Sequence, residues 1–247
     1  MVVAGLLVQN LVVFGLALAG GALVVRLFRG RRVTAPPPPL ERREVALAAC
    51  TIVLNTAVTV VGFWLWQRGT VRFRDDLGLY AWLDVPVILL AMDLAMYVLH
   101  RVAHVGGLYG WLHRPHHRYD RPRPLTLFVL APHETLAFGA LWLVVISVYP
   151  ASWLGMSIYL ALNVAFGVVG HVGVEPLPRA WVRLPVLRHV ATSTFHAQHH
   201  ADPRFNFGFY TVLWDRLLGT LDPRYERAFG TSIEAAPSVD AAGSTGA

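Results

Sequence analysis

The sequence predicts an all-α integral membrane protein, with three N-terminal transmembrane helices, a helical hairpin and a cytoplasmic histidine-rich helical cap. Three observations carry this expectation. Of 247 residues, 55% are hydrophobic and only 15% charged, where a soluble domain carries about 25% charged residues. The apolar residues gather into runs near the length of about 20 that crosses a bilayer. The basic residues concentrate in some of the connections between those runs and avoid another, the pattern that orients a membrane protein.

Met1 to Val25 is apolar apart from Gln9 and Asn10 and is expected to be the first span, its N-terminus outside. A cleaved signal peptide would carry positive charge ahead of its apolar core; here Arg26, Arg29, Arg31 and Arg32 follow it. Residues 26–44 form a linker in which Pro36 to Pro39 must be extended, because proline cannot continue a helix. Val45 to Trp66 is the second span, and residues 67–78 a short polar connection. Leu79 to Leu99 is the third span, with Asp84 and Asp93 inside it.

Residues 100–124 are polar and histidine-rich. Thr135 to Tyr149 and Ser152 to Gly170 then form an apolar pair around the turn residue Pro150. The first of these is 15 residues, or about 22 Å as a helix, which is short of the hydrocarbon core of about 30 Å. The hairpin is therefore either full or re-entrant, and both forms return the chain to the side it came from. Residues 171–230 are expected to fold as a cap, and 231–247, rich in Ala, Ser, Gly and Pro, as a disordered tail. The chain thus divides into membrane helices and linker (1–78), a histidine-rich domain (79–230) and the tail (231–247).

All 21 basic residues are arginine. Segments 26–44, 100–133 and 171–247 hold six, five and seven of them, and 67–78 holds three. This split places the first three segments in the cytoplasm. The net charge of +6 is read as a topology signal and not as a nucleic-acid surface, since no basic stripe is interleaved with aromatics. The single cysteine, Cys50, excludes a disulfide framework, a cysteine-ligated iron–sulfur cluster and a Cys-rich zinc site.

Eleven histidines stand out. Asp93, Tyr97, His100 and His104 are spaced 4, 3 and 4, forming one stripe along a helix that runs from within the bilayer to its cytoplasmic edge. An aspartate inside a span faces the bundle interior or a cavity and has a partner. His113-Arg-Pro-His116-His117 and His196-Ala-Gln-His199-His200 both read H-x-x-H-H, and at helical spacing the three imidazoles share a face. Pro115 disfavours helix at Arg114, so His113 is expected just outside the helix start. His171 closes the hairpin, on a face shared with Asn163 and Gly167. Two copies of one pattern beside an i,i+4 pair, in a chain with few polar residues, point to metal. Nine imidazoles exceed the four to six ligands of one ion, so two ions are expected. Imidazole suits zinc, copper, iron and nickel alike, and spacing does not choose among them.

These residues resemble the fatty acid hydroxylase and sterol desaturase superfamily of integral-membrane histidine-box diiron oxygenases, over about Leu83 to Tyr225. Tyr97 to His104, His113 to His117, His171 and His196 to His200 look like its boxes. Asn206-Phe207-Gly208 and Leu213-Trp214-Asp215-Arg216-Leu217-Leu218-Gly219-Thr220 look like the segment that closes its catalytic domain. The resemblance implies two iron ions, with zinc acquired on purification also expected, and dioxygen as co-substrate. It also implies an external electron-transfer protein and a lipid substrate from the bilayer, whose C–H bond is hydroxylated or desaturated. Relatives often have a further ligand near the His171 position; His189 and His133 are the spare candidates here. No fused haem domain and no nucleotide-binding glycine loop is present in the sequence.

Four further residues are candidates for the site. Glu134, in a Pro-x-Glu pattern, either serves the helix dipole or accepts from a ligand imidazole. Asp93 is read as an acceptor behind a ligand, Tyr97 shares its stripe, and Asp215 is either an acceptor or a packing group. Two rivals remain at this point, a histidine-rich membrane metal carrier and an inactive relative with a structural dizinc site.

Overall fold

The computed structural model describes residues 1–232, so the expected tail lies outside the described residues from 233 onward. Among the described residues the chain is helical, in the order α1 (Val2–Leu27), α2 (Arg42–Gln67), α3 (Leu79–Ala103), α4 (Gly106–Leu112), α5 (Arg114–His117), α6 (Pro132–Val148), α7 (Trp153–Gly170), α8 (Ser193–Ala201), α9 (Leu213–Leu217) and α10 (Tyr225–Ala228). Short 3-10 turns occupy Pro124–Phe128, Arg179–Arg183 and Leu187–His189. Four of these helices, α1, α2, α3 and α7, are long and apolar enough to cross a membrane. With 17 residues, α6 reaches about 25 Å.

The helix starts follow local chemistry. Glu44 Oε1 accepts from the Glu41 amide and closes a capping box at the head of α2. Pro132 opens α6 at the position where its missing N–H costs nothing. Ser152 caps α7 by accepting from the Gly155 amide at 2.9 Å.

The membrane helices pack as one bundle: α2 lies along α6, α3 along α7 and α6, and α1 along α2 and α7. Close approach rests on small residues. A Cβ added at Gly155 would come within 2.5 Å of the Asp84 Cβ and 2.8 Å of the Ala81 carbonyl, so α7 lies directly on the backbone of α3. Ile88, Met92, Ile146, Met156, Tyr159 and Tyr210 form the buried centre of the bundle.

The two ends of the bundle are stitched differently. At one end, Asp84 accepts from the Ser152 amide and the Tyr149 hydroxyl, both at 2.7 Å, and pairs with Arg74 at 3.0 Å. This answers for an aspartate within a span and pins the hairpin turn to residues 67–78. At the other end, the linker is not a free spacer. The Val33 amide donates to Gly173 O, the Glu175 amide to Arg31 O, and the buried Glu44 pairs with Arg123 at 3.3 Å. Segments 26–44, 100–131 and 171–232 therefore meet at one end, opposite the 67–78 connection.

The cap has its own small core of Val182, Ala191, Phe195, Val212, Tyr225 and Phe229. Removing each large apolar side chain of this kind from water contributes about 1.5–3 kcal/mol. It seats α8 beneath the end of α7, where the histidines converge.

Candidate metal centre

Nine histidines fall into two buried groups, within each of which the ring nitrogens lie within 4.8 Å of one another. The first holds His100, His104, His113, His117 and His199; the second holds His116, His171, His196 and His200. His133 and His189 belong to neither group. His133 stacks on Trp111 and donates to its carbonyl.

The boxes are shared between the groups, which corrects the expectation that the three imidazoles of a box share a face. His113 and His117 enter the first group and His116 the second, whereas His196 and His200 enter the second and His199 the first. The reason is helical geometry. At 3.6 residues per turn, residues i and i+4 lie about 40° apart on the same side, while i+3 lies about 60° to the other side. Each box therefore straddles the seam between the groups, and the i,i+4 pair His100 and His104 at the end of α3 adds to the first. As Pro115 predicts, His113 sits at the N-cap of α5 and not within it.

Backbone carbonyls set the ring orientation. His100 Nδ1–H donates to Phe207 O at 2.9 Å, and His199 Nδ1–H to Phe205 O at 2.6 Å. His116 Nδ1–H donates to Val129 O at 3.2 Å, and His171 Nδ1–H to Gly167 O at 2.7 Å. His113 Nδ1–H donates to Glu134. A carbonyl oxygen cannot donate, so in a neutral ring the Nε2 atoms of His100, His116, His171 and His199 are bare lone pairs.

The Nε2 atoms converge on one another. His100 and His113 Nε2 are 2.9 Å apart, and His171 and His116 Nε2 are 3.3 Å apart. His196 Nε2 lies 3.0 Å from His171 Nε2 and 3.1 Å from His200 Nε2. His116 and His171, both bare acceptors at Nε2, have no proton to share at such a distance. Metal–nitrogen bonds of about 2.1 Å would place neighbouring donors about 3.0–3.4 Å apart. In addition, His104 Nε2, His199 Nε2 and both ring nitrogens of His117 are buried without a hydrogen-bond partner. Both groups thus fit a metal ion, and four or five imidazoles leave room for further ligands on a six-coordinate ion.

Burial, followed by the crowding of neighbouring imidazoles, holds His113, His116, His117, His196, His199 and His200 well below the ordinary value of 6.5. Burial pushes His171 down to about 4. The neutral form so favoured is the form that binds metal.

Of the four other candidates, only Glu134 touches an imidazole, and its second oxygen also accepts from the Ala131 amide at 3.4 Å. One side chain thus meets an imidazole and closes the head of α6. Asp93 requires a correction. It is fully buried, but it accepts from the Tyr210 amide at 2.8 Å, the Thr211 amide at 3.2 Å and the Thr211 hydroxyl at 2.5 Å, and touches no histidine. It lies two helical turns, or about 10 Å, from His100, beyond hydrogen-bond reach.

Tyr97 meets the Thr220 hydroxyl at 2.9 Å and sets its ring edge-on to Phe207. Asp215 accepts from the Phe207 and Gly208 amides, both at 2.8 Å, and from the Thr220 hydroxyl at 2.7 Å. Asp215 reaches the histidines through the Phe207 peptide, and Tyr97 through the Phe207 ring, which packs on His100, His104 and His199. Tyr109, stacked on His104, and Glu175, which accepts from the Thr194 amide and hydroxyl at the head of α8, were not singled out in the sequence. A small cavity lined by Phe166, His171, Thr192, Phe195, His196 and Phe209 adjoins the second group.

The model of the fatty acid hydroxylase family matches residues 85–220, more than half of the chain, and covers every histidine of both groups. The chain belongs to the fatty acid hydroxylase family. Among its relatives are the very-long-chain aldehyde decarbonylase GL1-1 of Oryza sativa subsp. indica, 34% identical over 139 residues, and the lathosterol oxidase of Homo sapiens, 28% identical over 190. The Delta(7)-sterol 5(6)-desaturase of Leptosphaeria maculans is 28% identical over 141 residues. These alignments cover 53%, 72% and 57% of this chain but only 22%, 60% and 37% of the relatives. This family member thus spans a fraction of the length of each. No solved structure matches.

Proposed function

We propose that this membrane protein is an oxidoreductase that holds two iron ions and uses dioxygen to hydroxylate or desaturate a C–H bond of a lipid, whether fatty acyl, sterol-like or another isoprenoid. The observation that carries the reading is the pair of buried imidazole groups whose ring nitrogens converge, with the Nδ1 atoms of His100, His116, His171 and His199 tied to carbonyls so that their Nε2 atoms face inward. The names of the relatives, which concern sterols and very-long-chain aldehydes, support an apolar substrate.

Bound iron would supply the activation of dioxygen, with electrons delivered by an external electron-transfer protein. The chain's own residues would do the rest. His100, His104, His113, His117 and His199 would hold one ion, and His116, His171, His196 and His200 the other. Glu134 would keep His113 in the tautomer that binds metal. The aromatic cavity beside His171 and His196 would admit an apolar group and exclude water. The arginine distribution supports a cytoplasmic position for this end of the bundle, where a soluble electron donor would dock.

The test is lipid mass spectrometry of cells with and without the chain. A gain of one oxygen or a loss of two hydrogens in one lipid class is expected. His116→Ala and His199→Ala, which each lose an inward-facing nitrogen, should abolish the change and lower the metal content, while His133→Ala and His189→Ala should leave both intact. An unchanged lipid profile together with metal-free folded protein would sink the proposal.

A further inference from the structure

The loop between α8 and α9 provides two of the carbonyls that orient the first histidine group, and they are only two residues apart. Phe205 O accepts from His199 and Phe207 O from His100. The torsions of Asn206 lie between them. Asn206 has φ 63°, the only positive value at a non-glycine position among the described residues. Asparagine tolerates this left-handed conformation, whereas a β-branched residue does not.

Every polar group of Asn206 other than its carbonyl is engaged. Its amide donates to Thr220 O at 2.9 Å, its Nδ2 donates to Phe195 O at 3.0 Å, and its Oδ1 accepts from the Asp222 amide at 2.8 Å. The residue is fully buried. Phe195 belongs to α8, the helix that carries His199, so the turn is bolted to the element whose imidazole it orients. On the far side, Asp215 holds the next two amides, and a Cβ at Gly208 would meet Thr211 O at 2.2 Å and Asp215 Oδ2 at 2.8 Å. Only glycine lets the carboxylate come this close.

We infer that Asn206 is a positioning residue for the five-histidine group: its left-handed turn aims the Phe205 and Phe207 carbonyls at His199 and His100, fixing which nitrogen of each ring faces inward, and Asp215 clamps the far side of that turn. The inference rests on the reading of the two groups as metal sites. The second group takes its carbonyl acceptors from Val129 and Gly167 instead. The consequence is selective, in that disturbing the turn weakens one ion and spares the other.

The experiment is anaerobic loading of the purified full chain with Fe(II), with metal counted per folded protein and extracted by a chelator. Wild type should hold about two ions. Asn206→Gly keeps the backbone conformation available and should stay near two. Asn206→Val cannot hold the turn and should lose affinity for one ion by about 10- to 100-fold, the usual cost of losing a partner behind a ligand. Asp215→Asn should do the same, and it decides the matter if the valine variant does not fold. In the Asn206→Val background, His104→Ala should weaken the same ion further and spare the other, whereas His116→Ala should cost the second ion as well.

Two ions extracted at wild-type rates from both the Val and the Asn variants would overturn the inference. So would equal loss of both ions, or a glycine variant as impaired as the valine one. A wild-type chain that binds no iron would instead refute the proposed function.

Discussion

Glu134 touches His113 Nδ1 with one carboxylate oxygen and the Ala131 amide with the other, so a single side chain opens α6 and sets a ring of the first histidine group. His113 Nε2 consequently turns toward His100 Nε2 at 2.9 Å. Glu134→Ala should cost that ion about 10- to 100-fold in affinity. Glu134→Gln retains one oxygen acceptor and should fall between Ala and wild type. Chelator competition on the folded protein measures both. Equal affinities across the three would show that the carboxylate serves the helix alone.

Asp93 carries a different expectation. Its three donors belong to Tyr210 and Thr211, and the Tyr210 carbonyl in turn accepts from the Ala191 amide just ahead of α8. Asp93→Asn places an amide group opposite two amides and a hydroxyl. Leaving such buried groups poorly matched costs about 1–3 kcal/mol. A lower melting temperature in detergent is expected, with both ions retained. Loss of metal at unchanged stability would reverse the assignment.

Acid should destabilise the metal-free protein in a defined direction. The buried histidines titrate below 6.5 when folded, with His171 at about 4, while exposed imidazoles in the unfolded chain titrate near 6.5. Below 6.5 the unfolded chain binds more protons at these imidazoles, so their contribution to stability falls as pH falls and is level above that value. Each such imidazole contributes a slope of up to about 1.4 kcal/mol per pH unit within its window. Melting of the metal-free protein from pH 8 to 5 should show a plateau and then a decline. No decline between pH 6.5 and 5 would contradict the burial of these rings.

Much of the bundle was legible because membrane spans announce themselves by length and composition. The histidines were legible because i,i+3 and i,i+4 spacing survives in the sequence. Their division into two groups was implicit in the same spacing, since i+3 and i+4 diverge by 100° around a helix, but which partner each side meets is a tertiary fact. What the sequence did not reveal is chiefly backbone. The acceptors for His100, His116, His171 and His199 are all carbonyls, which every residue carries and no side-chain pattern marks. Asp93 misled for a related reason: a stripe places it on the same face as His100 but does not say that loop 209–211 intervenes. The pairing of the proline-containing linker with Gly173 and Arg123 was not legible because it is long-range.

Topology provides the last prediction. Val33 pairs with Gly173, Arg118 meets Glu41 at 3.4 Å, and Arg74 reaches the hairpin turn at Pro150 O with 2.6 Å. Residues 26–44, the region near 120 and the chain after α7 therefore occupy one end, and residue 72 the other. With the arginine split, the first end is expected in the cytoplasm. Single cysteines introduced at Arg29, Arg121 and Arg227, in a Cys50→Ala background, should all be labelled by an impermeant maleimide only after the membrane is opened. A cysteine at Arg72 should be labelled in intact cells. All four reacting alike would leave the arginines without a topological role. Opposite accessibility at Arg29 and Arg121 would be worse for the fold itself, because the linker could then not pair with the segments that surround the histidines.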